Sequence, residues 1–186
     1  MMDFLYLLLG AALVVGALVL FGRYASFKAQ KPADYGGDGP QFDIRQHLQG
    51  PILCEGVIYG PTGRVTSRFV ADFDAHWEGN TGVMKERFRY DSGRTQDREW
   101  RLTLGNDGTI KADADDLVGQ GSGRQEGNAV QLNYNIKLPE ESGGHVLSTT
   151  DWMYLVENGT IMNRSQFRKF GIKVAELVAT MRPKES

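Results

Sequence analysis

The sequence predicts an all-β chain: an antiparallel, up-and-down, lipocalin-like barrel of about eight to ten strands, preceded by one N-terminal transmembrane helix. Three observations predict it. Apolar residues recur with period two from Leu53 onward, turn signals break that alternation at short intervals, and a single charge-free apolar run stands at the N-terminus. No long helical period follows that run.

The run is "FLYLLLGAALVVGALVLFG", Phe4 to Gly22. As a helix it would reach about 28 Å, close to the thickness of a bilayer core. A cleaved signal peptide is the competing reading. It fits less well, because only Asp3 precedes the run where a basic segment would be expected, and no convincing small-x-small site follows. Residues 1–22 are therefore read as a transmembrane anchor. Arg23, Lys28 and Lys31 all flank its C-terminal side, which by the positive-inside rule argues for a cytoplasmic barrel. The stretch "KPADYGGDGP" has the Gly and Pro punctuation of a linker, so residues 23–41 are read as linker and 42–182 as the folded domain. "FDIRQHLQG", which opens that domain, reads as a short helix or plug-like turn.

Strands are expected near 53–59, 65–77, 82–91, 95–104, 109–119, 128–138, 148–157, 160–168 and 170–181, with turns at segments such as "GPTG", "DSGR", "GNDG" and "GSGRQEGN". Matching faces across each hairpin places Phe73 opposite Phe88, Glu86 opposite Trp100, and Leu102 opposite Ala112. A two-residue turn at Asn158-Gly159 pairs Tyr154 with Asn163 and Met153 with Arg164. Neighbouring strands match in simple hairpin order and only the 139–147 connection is long, which favours a barrel over a two-sheet sandwich.

These registers make two acid–arginine diagonals, Glu86 with Arg98 and Asp151 with Arg164. Glu86 and Arg98 share the face assigned to the interior. In the last of these hairpins both faces are apolar, so alternation does not choose the inward one, and its outer side is a place for the N-terminal segment to pack. The charges read either as a satisfied internal ion-pair network or as a polar foot beneath an apolar cavity. In the second reading the arginines hold a carboxylate or phosphate, while Tyr90, Trp100, Tyr134 and Trp152 line the ligand's apolar chain.

Composition narrows the function. The chain has 186 residues and a formal charge of -2, so no basic footprint argues for nucleic acid. The single cysteine, Cys54, rules out an internal disulfide framework. His47, His76 and His145 are scattered, leaving no metal-ligand spacing, and no cofactor motif stands up. "DADD", Asp113 to Asp116, lacks the glycine and terminal glutamate of a calcium loop and reads as a solvated turn. "GQGSG" is neither a dinucleotide fingerprint nor a nucleophile elbow. No catalytic residues are assigned; an acid–base pair of Glu86 and Asp151 is the least favoured reading.

The stretches "GRVTSRFVADFDAHWEG", "KERFRYDSGRTQDREW", "ADADDLVGQGSG", "GNAVQLNYNIKLP" and "TTDWMYLVENGTIMNRS" resemble the bacterial family DUF3833, many of whose members look like lipoproteins. Where that family often has paired acids before Trp-Met-Tyr, this chain has Thr150 before Asp151, and a plain apolar helix replaces the lipid-modified cysteine. The resemblance implies an exported domain and an association with membrane-lipid metabolism, and it implies no known activity. It also tips the barrel toward the periplasmic side of an inner membrane, against the local charge. The expectation is a non-enzymatic, membrane-tethered barrel that binds or carries a lipid or other apolar ligand. The alternative is an accessory partner of a membrane enzyme, with a filled core.

Overall fold

Two-residue periodicity with one wet face and one dry face is a pattern that pays off only when the dry faces meet. Ten antiparallel strands arrange it so by closing on themselves. In the computed structural model, which describes residues 2–37 and 39–184, they are β1 (Gly50–Tyr59), β2 (Val65–Glu78), β3 (Thr81–Tyr90), β4 (Thr95–Leu104), β5 (Thr109–Asp113), β6 (Gly121–Glu126), β7 (Ala129–Lys137), β8 (Val146–Leu155), β9 (Ile161–Lys169) and β10 (Ile172–Pro183). Each pairs with its sequence neighbour, and β10 pairs back onto β1, with Cys54 opposite Met181 and Ile58 opposite Leu177. Closure leaves no long open edge.

Before the barrel comes helix α1 (Met2–Tyr24), an apolar helix long enough to cross a membrane, none of whose side chains is buried. The chain then crosses two short 3-10 turns and enters helix α2 (Ile44–His47). This is the plug that "FDIRQHLQG" suggested. Asp43 caps it by accepting from the Arg45 backbone N–H at 2.9 Å. Phe42, Ile44 and Leu48 are each 2% exposed and extend the core at one end of the barrel. The plug is tied to the loops around it: Trp77 Nε1 donates to the Leu48 carbonyl at 2.8 Å, Phe42 N–H to the Gly127 carbonyl at 2.8 Å, and Arg45 Nη1 to Asn80 at 2.9 Å.

The interior alternates small and large residues. Ala71, Ala75 and Ala112 are essentially fully buried beside Phe69, Phe73 and Trp100. The expected pairing of Leu102 with Ala112 is observed. Three other registers differ. Ala71 and Phe73 face Phe88 and Glu86, and Glu86 faces Arg98, so the β2–β3 and β3–β4 hairpins are each shifted by two residues, which preserves the faces. The third shift is by one residue. The last-hairpin turn spans Val156–Thr160, closed by Val156 N–H on the Thr160 carbonyl, and it pairs Met153 with Asn163 and Asp151 with Ser165. An odd shift sends Asp151 and Arg164 to opposite faces.

Strand β6 falls where the glycine-rich "GSGRQEGN" reads as a turn, and the expected strand 109–119 ends at Asp113. β6 carries little apolar signal because the wall is tight there. A Cβ on Gly123 would stand 2.2 Å from the Gln131 carbonyl oxygen and 2.5 Å from Leu132 Cδ2.

Candidate ligand-binding site

The strands enclose a cavity of about 630 Å³, within the range usual for small-molecule sites. It runs from Ile44 and Leu48 on the plug to Arg94 and Ser142 at the opposite rim. Most of its wall is apolar, including Phe69, Phe88, Leu132 and Met153. At the rim the 138–145 connection comes near the β3–β4 turn, with Arg94 Nη1 3.4 Å from Ser142 Oγ.

A small polar group sits inside this wall. Glu86 on β3 is directly opposite Arg98 on β4, and Arg98 Nε lies 2.8 Å from Asp116 Oδ2. The Arg98 guanidinium also lies 4.0 Å from the Trp100 ring centroid and 5.7 Å from that of Tyr134. Across the chamber Asp151 accepts from Ser165 Oγ at 2.7 Å and from the Asn163 amide at 2.5 Å. Burial pushes the Glu86 carboxyl up to about 7; Arg98 opposes that rise, while Asp151 and Asp116 add to it. Burial likewise raises Asp151, against its two hydrogen bonds. Burial also raises the Tyr134 hydroxyl and the Cys54 thiol, which leaves the thiol protonated and a poor nucleophile. Glu86 Oε2, Arg98 Nη2 and Asp116 Oδ1 are buried without a hydrogen-bond partner.

Asp116 reaches this group because the wall divides beside it. β4 pairs with β5 only over Arg101–Leu104. Beyond Asp113 the chain leaves β4 and follows β7, with Leu117 bridged to Ile136 and the Lys137 N–H donating to the Asp116 carbonyl. Side chains span the resulting gap: Arg98 to Asp116, and Arg101 to Asp115 at 2.7 Å.

Of the residues singled out in the sequence, Glu86, Arg98, Asp151, Tyr90, Trp100 and Tyr134 all line the cavity. Arg164 and Trp152 do not. The one-residue register shift turns them outward, so the Asp151–Arg164 diagonal does not form. Arg164 binds Glu176 at 2.5 Å and stacks over Phe27 at 4.9 Å. Trp152 is 0% exposed although it faces away from the chamber, because the N-terminal segment covers it. Tyr35 packs against both Trp152 and Tyr154 with ring centroids 5.3 Å apart, and Tyr154 donates to Gln30 at 2.7 Å. Gly127 permits this strap: its φ is +55°, and a Cβ there would collide with the Tyr35 carbonyl oxygen. The apolar residues on both faces of "DWMYLVENGTIMNRS" are thus explained by two partners, the chamber and the strap. Asp116, Asn163 and Ser165 are the site residues that sequence reasoning missed. The correct hairpin register would have found the last two; Asp116 belongs to "DADD", read as a solvated turn, and its reach inward to Arg98 corrects that reading.

The profile described as "Protein of unknown function (DUF3833)" matches residues 22–183. The chain belongs to the DUF3833 family. No curated protein matches it. This DUF3833 barrel is similar in fold to the S-type phycobiliprotein lyase CpeS from Guillardia theta, with a TM-score of 0.58 and 10% identity over 77% of this chain and 92% of that one. A Bacteroides fragilis protein with a YmcC-like fold aligns over 70% of this chain and 94% of its own, at 10% identity and a TM-score of 0.34, too loose to add to the fold assignment. At such identities the likeness is one of fold alone. Among the described residues of this DUF3833 chain, no group of three or more His, Cys, Asp or Glu side chains is placed to hold a metal.

Proposed function

We propose that this protein is a membrane-tethered binding barrel whose interior holds or carries a lipid or other apolar small molecule, without catalysing a reaction on it. The observation that carries this reading is the cavity: about 630 Å³ of mostly apolar space between a plugged end and a rim, with a few buried polar atoms at one level. The contacts proposed for the ligand are Tyr90, Trp100 and Tyr134 along its apolar part and Glu86, Arg98 and Asp151 at its polar part. An accessory protein with a filled core would have no use for such space. In this reading helix α1 is the tether, and the barrel lies on the periplasmic side of a bacterial inner membrane, as the resemblance to an exported family implies. Native mass spectrometry of the gently extracted full chain, followed by lipid extraction, tests the reading. A co-purifying apolar molecule in near-stoichiometric amount is expected. Empty protein that takes up no amphiphile when one is offered would overturn it.

A further inference from the structure

The charges along the cavity decide what kind of polar end it accepts. Inside, Glu86, Asp116 and Asp151 stand against one cation, Arg98. At the rim, Lys137 is bound to Glu140 at 3.1 Å, and Arg94 lies over the Tyr90 ring, 5.0 Å from its centroid. No surplus of positive charge exists at the inner group. An anionic headgroup brought to the inner group would meet a guanidinium already held by Asp116 and flanked by Glu86. It would have to lose its water while facing two carboxyls. An ammonium fares little better, because Arg98 is fixed there and burial favours the neutral forms of Glu86 and Asp151.

The atoms left without partners describe a third kind of head. Glu86 Oε2 and Asp116 Oδ1 can accept a hydrogen bond, and Arg98 Nη2 can donate one. Glu86 is 7% exposed. A hydroxyl or amide both donates and accepts and carries no charge; a primary amide can meet all three atoms, and a hydroxyl can take the arginine's hydrogen bond and give one to a carboxyl oxygen. Resting on the binding-barrel reading, we infer that the ligand is a neutral amphiphile: an apolar chain ending in a hydroxyl or amide group, seated with that end against Glu86, Arg98 and Asp116. The arginine is then a hydrogen-bond donor within a neutralised group, in contrast to the carboxylate or phosphate anchor that two arginines in the chamber would have made.

Full-length protein held in an amphipathic polymer, titrated calorimetrically with lauryl alcohol, monolaurin, lauric acid and laurylamine at about pH 6, where Glu86 holds its proton while the acid and the amine are charged, tests this. The alcohol and monolaurin should bind. Lauric acid and laurylamine should bind at least about tenfold more weakly, or about 1.4 kcal/mol. In Glu86→Leu the preference for the neutral heads should shrink. Lauric acid or laurylamine binding as tightly as the alcohol overturns the inference and leaves the binding barrel standing. Binding of none of the four sinks both.

Discussion

Two acid–arginine pairs occupy adjacent rungs of the same β3–β4 ladder: Glu86 opposite Arg98, and Arg87 opposite Asp97. The pleat sends the first pair into the barrel and the second into solvent. Arg87 and Asp97 are 67% and 70% exposed and meet at 3.1 Å, as many surface pairs do. Glu86 and Arg98 are nearly enclosed, share their charge with Asp116, and leave atoms unpartnered. The residue types are the same in both. Water access decides whether a pair is incidental to the fold or sets the chemistry of a chamber.

The largest expected effect comes from removing the inner cation. Arg98→Met leaves Glu86 and Asp116 with no cation from the inner group, and a stranded buried charge costs about 3–5 kcal/mol. Urea denaturation at about pH 8 should show a loss of that order. The loss should shrink in mild acid, where Glu86, already raised to about 7, takes up a proton. An unchanged midpoint at both pH values would mean that the inner rung is as well solvated as the outer one.

A smaller effect separates the rungs by pH. The folded-state value of Glu86, about 7, lies above its ordinary 4.5, so the folded protein holds this proton more tightly than the unfolded chain does. The stability it contributes is therefore present below about 4.5, falls as pH rises, and levels off above about 7. Asp72 runs the other way: its hydrogen bonds to Lys184 and Arg89 hold it low, so its contribution is lost in acid. Comparison with Glu86→Gln cancels such groups. The variant should gain on the parent by about 4 °C in melting temperature between mild acid and neutrality. A constant difference across that range would show that Glu86 titrates as an ordinary surface carboxylate.

How much of this was legible follows from the same geometry. Period-two alternation survives any even register error, so the strands, the closed order and the inward placing of Glu86, Arg98, Trp100 and Tyr134 were readable although two hairpins were set two residues off. An odd error is fatal to faces. The Asn158-Gly159 pair suggested the shortest turn, the chain used a longer one, and Trp152 and Arg164 moved outside with it. Strand β6 was hidden because Gly121 and Gly123 are small for lack of room rather than for turning. Asp116 was hidden more deeply: its side chain reaches Arg98 only because β5 parts from β4, a consequence of closure that no local pattern records.

The smallest effect lies at the outer rung, and it is the control for the other two. Replacing Arg87 and Asp97 together by alanine removes an ion pair whose groups are already hydrated, at positions that keep their backbone hydrogen bonds. Coulomb attraction there is weak in water and screened by salt, and ordering two long side chains offsets much of it. The double variant should therefore unfold within about 0.5 kcal/mol of the parent, with the same pH dependence and the same preference among lauryl amphiphiles. A loss comparable to that of Arg98→Met would mean that the outer rung braces the wall beside the gap between β4 and the 114–118 segment. The inside–outside contrast would then be replaced by one between paired and unpaired stretches of β4.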